Sequence, residues 1–252
     1  MPVEPAPSRW NLDEQQQDDV TQDLIAVGAD LQPGTLLAAY RAGMFPMGIG
    51  DDGRRPIGWW SPVRRGVLLP GDFHVSRSLR RTRHRFHVTY NTAFEAVVDG
   101  CADRTRPGRW ITPEVRAAYE QLHRLGWAHS VEAWDAEGRL AGGLYGVCTG
   151  GLFAAESMFH RVTDAGKVAV WGLTELVFGD GDGRRLIDVQ WQTEHLATLG
   201  VREVPRRDYL RRVRLAAGAP LPPCWDDDPQ DDSHDDLLGE PQDDPGPDPA
   251  VG

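Results

Sequence analysis

Glu156 sits where a carboxylate could do chemistry. It stands in an apolar run between Phe153 and the Met158-Phe159 pair, where a charge needs either a partner or a purpose. Strand alternation turning it to solvent is the bland alternative. Further on, Leu186-Ile187-Asp188-Val189-Gln190 places Asp188 and Gln190 two apart in a strand-like segment. Both side chains are then expected on one face, with Ile187 and Val189 on the other. Such a pair could hold an amine, the carboxylate accepting from an ammonium and the amide fixing its orientation. It could equally be the solvent face of an edge strand.

Two further groups could bind rather than react. Tyr40, Trp59, Trp60, Trp110 and Tyr119 lie beside polar or Gly-rich turns, where a nucleobase could stack on an exposed ring for roughly 1–3 kcal/mol; a ring in the core is the alternative for each. Arg77, Arg80, Arg81, Arg83 and Arg85 crowd into one short stretch beside His74, His84 and His87, a density that could clamp phosphate. The chain's basic residues are all arginine except Lys167, so composition inflates any such cluster.

Several signatures are missing. There is no GxxxxGK[ST] loop, no GxGxxG after a strand, no GxSxG elbow and no HExxH, which removes the main support for nucleotide hydrolysis, dinucleotide redox and metalloprotease chemistry. Cys101, Cys148 and Cys224 are odd in number and match no ligand spacing, so reduced thiols and no metal are expected. No long apolar run and no basic-then-apolar start occur, which points to the cytoplasm.

The formal charge of −11 is unevenly placed. Eleven acidic residues and no Lys or Arg lie beyond Pro220, whereas Val20 to Pro220 holds 26 basic and 22 acidic residues. The body is mildly basic, and the Asp/Pro/Gly-rich end is expected to be a disordered acidic tail.

Elements to position these residues can be read along the chain. Thr112-Pro113-Glu114 is a helix start, with a capping hydroxyl and Pro at the first helical position; Val115, Tyr119 and Leu122 line its face up to Gly126. His129 to Trp134, Leu140 to Val147 and Leu152 to Phe159 form three strand-like runs separated by turns, an antiparallel meander. Helices are expected from Asp30 or Gln32-Pro33 up to Gly43, with Leu36, Leu37, Ala39 and Tyr40 as the apolar face, and over Lys167 to Phe178, Glu194 to Leu199 and Arg206 to Leu215, with a strand at Arg185 to Gln190. The fold class is therefore mixed α/β with flanking helices on a largely antiparallel sheet.

Taken in order, Asp30-Leu31, Ala39-Tyr40-Arg41-Ala42-Gly43-Met44-Phe45-Pro46, Trp59-Trp60-Ser61-Pro62, Trp110-Ile111-Thr112, Gly142-Gly143-Leu144-Tyr145-Gly146, Glu156-Ser157-Met158-Phe159 and Asp188-Val189-Gln190 resemble the bacterial leucyl/phenylalanyl-tRNA–protein transferases over roughly Leu24 to Leu210. The resemblance implies a small N-terminal domain (22–88) and a GNAT-like acyltransferase domain (89–216); outside it lie the ends, read from composition as a flexible acidic N-terminus (1–21) and the acidic tail (217–252). It implies a monomer without cofactor that moves Leu or Phe, or Met, from Leu-tRNA or Phe-tRNA to acceptor proteins beginning with Arg or Lys, marking them for the bacterial N-degron pathway.

By the same resemblance, the aminoacyl side-chain pocket maps onto Leu144, Phe153, Met158, Leu173 and Ile187, and the terminal adenosine site onto Tyr40, Trp110 and Tyr119. Asp188, Gln190 and Glu156 fall in the catalytic region, the first two orienting the α-amine and the third fixing the substrate or the acceptor cation. The position after Phe45-Pro46, often Trp in the family, is Met47. Two rival functions share parts of this pattern: an acyl-CoA N-acyltransferase, which needs pyrophosphate-binding amides near Asp164-Ala165-Gly166-Lys167, and a noncatalytic tRNA- or N-degron-binding module.

Overall fold

The computed structural model describes residues 1–12, 21–105 and 109–225. Its first unit is a three-stranded antiparallel sheet, β1 (Leu24–Val27), β3 (Ile57–Trp60) and β2 (Phe45–Gly48) in that order, with helix α1 (Pro33–Arg41) beside it. Pro33 opens α1 at a position whose N–H would be unused. The helix buries Leu36, Leu37 and Tyr40 against Trp59, Tyr119 and Tyr145 in one core cluster.

A seven-stranded mixed sheet follows, built from β4 (Arg64–Leu68), β5 (His87–Tyr90), β6 (Ala128–Trp134), β7 (Leu140–Thr149), β8 (Leu152–His160), β9 (Leu186–Gln190) and β10 (Arg202–Pro205) in the order β10-β4-β9-β8-β7-β6-β5. Every pairing is antiparallel except β8 with β9. Those two strands are joined by helix α5 (Ala165–Phe178), the crossover that a parallel pair requires. The mixed α/β class and the β6–β8 meander expected from the sequence are both present. β4 precedes residue 89 and β5 spans residues 87–90, so the larger sheet draws strands from both sides of the division suggested at residue 88.

Both faces of the sheet are covered. Successive residues of β7 and β8 alternate between two cores: Leu144 and Phe153 pack with α5, whereas Tyr145 and Ala154 pack with α1, α3 (Phe94–Cys101) and α4 (Pro113–Arg124). Thr112 caps α4 by accepting from Val115 N at 3.3 Å, as its sequence suggests. Helix α7 (Arg206–Ala217) closes the far end, seating Tyr209 and Val213 on β4, β8 and β9. The arginine run forms helix α2 (Arg77–Arg83), capped by Ser76, and α6 (Glu194–Ala197) is a single turn.

Both ends depart from the composition-based expectation. Residues 1–12 read as flexible, yet Val3 donates to Leu125 O at 2.8 Å, Trp127 Nε1 donates to Val3 O, and Leu12 is buried. Leu221 and Cys224 also pack on the α5 core, and Trp225 is 4% exposed, stacked on His129 and Phe153. A stretch-wide average hides what one indole gains by entering a core. The eleven acidic residues of the tail lie outside the described residues.

Candidate active site

A pocket of about 250 Å³ opens between the β7–β8–β9 face and α5. Leu144, Met158, Leu173 and Ile187 line it, together with Val170 and Val189. Four of the five residues expected to hold an aminoacyl side chain thus meet there. Phe153, the fifth, faces the same core but is fully buried against Trp225.

The polar edge of the pocket comes from two strand irregularities. Tyr145 pairs with Ser157 and Gly146 with Ala155, so Glu156 is the extra residue of a bulge that turns it toward the pocket. Gly146 is required beside it, because a Cβ there would fall 2.2 Å from Ala154 O. On β9, Gly66 faces Gln190 and Val67 faces Asp188, a second bulge, and Gln190 has φ 59°.

This left-handed residue overturns the expectation that Asp188 and Gln190 share a face. Ile187 and Val189 line the pocket and Asp188 points to the opposite side, as alternation demands. Gln190, re-aimed by its backbone, joins the pocket side and donates from Nε2 to Glu156 Oε1 at 3.4 Å.

Glu156 also accepts from Tyr119 Oη at 2.7 Å, and the Tyr119 and Tyr40 hydroxyls are 2.5 Å apart. Burial pushes the Glu156 carboxyl up to about 7, against the opposing pull of the Tyr119 and Tyr40 hydroxyls; the Asp188 charge adds to the rise. Burial raises both tyrosines well above the ordinary phenol range, so they stay protonated donors.

Asp188 is fully buried and all its hydrogen bonds are internal. Arg65 grips it through Nε (2.7 Å) and Nη2 (2.6 Å), Tyr209 Oη donates at 2.9 Å, and Gln190 N donates to Oδ1 at 2.9 Å. Arg65, also fully buried, lies between the Phe45 and Tyr209 rings and donates to Gly43 O at 3.1 Å. Burial disfavours its charge, but Asp188 more than offsets this and holds the guanidinium protonated. Sequence reading missed Arg65 and Tyr209. The available signal was an arginine pair heading the apolar strand Gly66-Val67-Leu68.

Tyr40 and Tyr119 are each 1% exposed, so they offer hydroxyls at the site rather than open ring faces. Trp110 is half-buried beside them. Trp59 and Trp60 are structural, their indole N–H groups donating to Gly28 O and Met47 O. On α2, Arg77, Arg80 and Arg81 are exposed, as is Arg85 beyond it, while Arg83 lies over the Trp171 ring. At the start of α5, where a pyrophosphate would seek free amides, Asp164 instead presents a carboxylate paired with Lys167 at 2.9 Å. Among the described residues, no group of three His, Cys, Asp or Glu is placed to hold a metal, and no helix is long and apolar enough to cross a membrane.

The mixed sheet thus carries an apolar pocket edged by a carboxylate and an amide. Residues 67–214 match the family model for leucyl/phenylalanyl-tRNA protein transferase, and residues 29–63 match that for its N-terminal domain. Proteins named leucyl/phenylalanyl-tRNA–protein transferase are 53% identical over 215 residues in Anaeromyxobacter sp. (82% of this chain, 88% of the relative). In Edwardsiella ictaluri the figure is 46% over 205 residues (80% and 82%), and in Dechloromonas aromatica 45% over 215 (82% and 89%). The chain belongs to the leucyl/phenylalanyl-tRNA–protein transferase family, enzymes that move an aminoacyl group from tRNA to a protein N-terminus.

Proposed function

We propose that the protein transfers Leu or Phe, or Met, to acceptor proteins beginning with Arg or Lys, as a cytoplasmic monomer whose products enter the bacterial N-degron pathway. The meeting of Glu156 and Gln190 over the apolar pocket carries this reading. About 250 Å³ is small beside the roughly 300–1,000 Å³ of drug-sized ligand sites, and suits one unbranched-β or aromatic side chain.

In this mechanism the pocket holds the aminoacyl side chain and places its ester carbonyl beside Gln190. With Nε2 directed at Glu156, Gln190 Oε1 is left to accept from the incoming α-amine. The neutral amine nitrogen attacks the ester carbon and a tetrahedral oxyanion forms. The bond to the ribose oxygen then breaks, and that oxygen leaves with a proton given up by the amine. The ester is already activated, so positioning supplies much of the rate.

Asp188 acts through Gln190 rather than on the amine, because its lone pairs are occupied by Arg65, Tyr209 and the Gln190 N–H. Glu156, as carboxylate, attracts the acceptor's first-residue cation. Tyr40, Tyr119 and Trp110 border the terminal adenosine, and the α2 arginines meet the tRNA backbone.

The test incubates the purified protein with Leu-tRNA or Phe-tRNA carrying a labelled amino acid and with peptides starting in Arg, Lys or Ala. Label on the Arg and Lys peptides alone is the expected result. Equal labelling of the Ala peptide would remove the acceptor rule, and no transfer to any peptide would remove the proposed reaction.

A further inference from the structure

Away from the apolar pocket, a second cleft of about 450 Å³ is lined by Arg54, Arg55, Arg104 and Arg109, with Asp52 and Glu114 as its acidic members. Four guanidinium groups against two carboxylates leave two positive charges in excess. Asp52 is shared between Arg104 at 3.0 Å and Arg109 at 3.8 Å, and Glu114 pairs with Arg55. These arginine side chains are 50–66% exposed, and exposed pairs are worth about 0–1 kcal/mol, so a phosphate can replace them at little loss.

The position of the cleft gives it a partner. The turn carrying Asp52 approaches Trp110 so closely that a Cβ on Gly53 would fall 2.4 Å from Trp110 Cα. Ile111, Thr112 and Pro113 form the opposite wall, where the positive end of the α4 dipole adds to the arginines. The same helix carries Tyr119, six residues on, which hydrogen-bonds Glu156. At about 1.5 Å of rise per residue that is about 9 Å, or two to three phosphates of stacked strand at about 3.4 Å each.

We propose that this arginine cleft binds the phosphodiester backbone of the single-stranded 3′ end of tRNA, just before the terminal adenosine. The inference rests on the tRNA reading above and adds a contact apart from α2. Guanidinium forks suit phosphate oxygens, and the excess charge raises local affinity for a polyanion.

The test compares wild type with the double variant Arg54→Ser/Arg104→Ser on two donors, leucyl-tRNA and leucyl-adenosine, the second lacking every phosphate. With leucyl-tRNA, KM is expected to rise roughly tenfold at unchanged kcat, and the slope of log affinity against log salt to weaken by about 1–2. Kinetics on leucyl-adenosine are expected to stay at wild-type values. An unchanged KM and salt slope for leucyl-tRNA would overturn the proposal, as would an equal loss on both donors. Failure of the wild type to use either donor would instead count against the transfer reaction itself.

Discussion

Arg65 and Asp188 form a bidentate ion pair in which both side chains have no solvent exposure. The pair fastens the β9 strand to two other parts of the molecule: the Gly43 carbonyl, between α1 and β2, and the Tyr209 hydroxyl on α7. Through Oδ1, Asp188 also holds the Gln190 N–H, so the pair fixes the left-handed backbone that aims Gln190 at Glu156. Stored strain of this kind persists only where the surroundings over-determine it.

Breaking one side of this pair strands a buried charge. Arg65→Met or Asp188→Ala alone is expected to lower stability by about 3–5 kcal/mol and to abolish transfer. The double variant Arg65→Met/Asp188→Leu is expected to regain most of the stability but no transfer, since nothing then orients Gln190. Denaturant unfolding beside the transfer assay measures both. A double variant with wild-type activity would exclude the positioning role.

Glu156 gives the reaction a pH signature. Its folded-state pKa of about 7 lies above the ordinary 4.5, so the folded protein binds a proton that the unfolded chain releases between those values, and stability falls as pH rises from about 4.5 to about 7. Transfer should move the other way, with kcat/KM climbing as Glu156 ionises near pH 7 and climbing again as the acceptor amine loses its proton near pH 8. Glu156→Gln is expected to remove the lower inflection and the matching slope in Tm against pH. An inflection that survives this substitution belongs to another group.

Tyr119 tunes that carboxylate. Its hydroxyl stabilises the ionised form, and a hydrogen bond to a charged group is worth about 1.5–3 kcal/mol. Tyr119→Phe should therefore move the Glu156 inflection upward by roughly one to two pH units. A profile unmoved or shifted downward would contradict the geometry.

The pocket sets which amino acid is carried. Leu144→Phe inserts an aromatic ring into a space of about 250 Å³ and is expected to reduce kcat/KM more for Phe-tRNA than for Leu-tRNA, by roughly 10–200-fold in the ratio. Competition between the two charged tRNAs reads this ratio directly. If both donors lost activity equally, the side chain would have to be held elsewhere.

The share of Trp225 in the core can be tested by truncation. A chain ending at Trp225 keeps the indole and serves as the reference. A chain ending at Pro220 removes Trp225 from its stack on His129 and Phe153 and should lose about 3–5 kcal/mol. Equal stability of the two chains would show that the indole adds nothing to the core.

The sequence by itself determined the element types and the chemistry available. Thr112-Pro113 announces α4, alternating apolar runs announce β6 to β8, and four residues of the side-chain pocket share apolar character. Local propensity and periodicity carry that information, because neighbouring residues are enough to create it. Tertiary structure decided where side chains aim. Alternation assigns Asp188 and Gln190 to one face, but a bulge against Gly66 and a left-handed Gln190 separate them. Arg65 and Tyr209 lie 123 and 21 residues from Asp188 in sequence, and no local pattern links groups brought together only when β4, β9 and α7 pack. The ends teach the same lesson in reverse: composition marks a segment as unable to bury itself, yet Leu12 and Trp225 occupy seats formed by distant strands and helices. Burial depends on the surface that the rest of the chain presents, which only the folded arrangement creates.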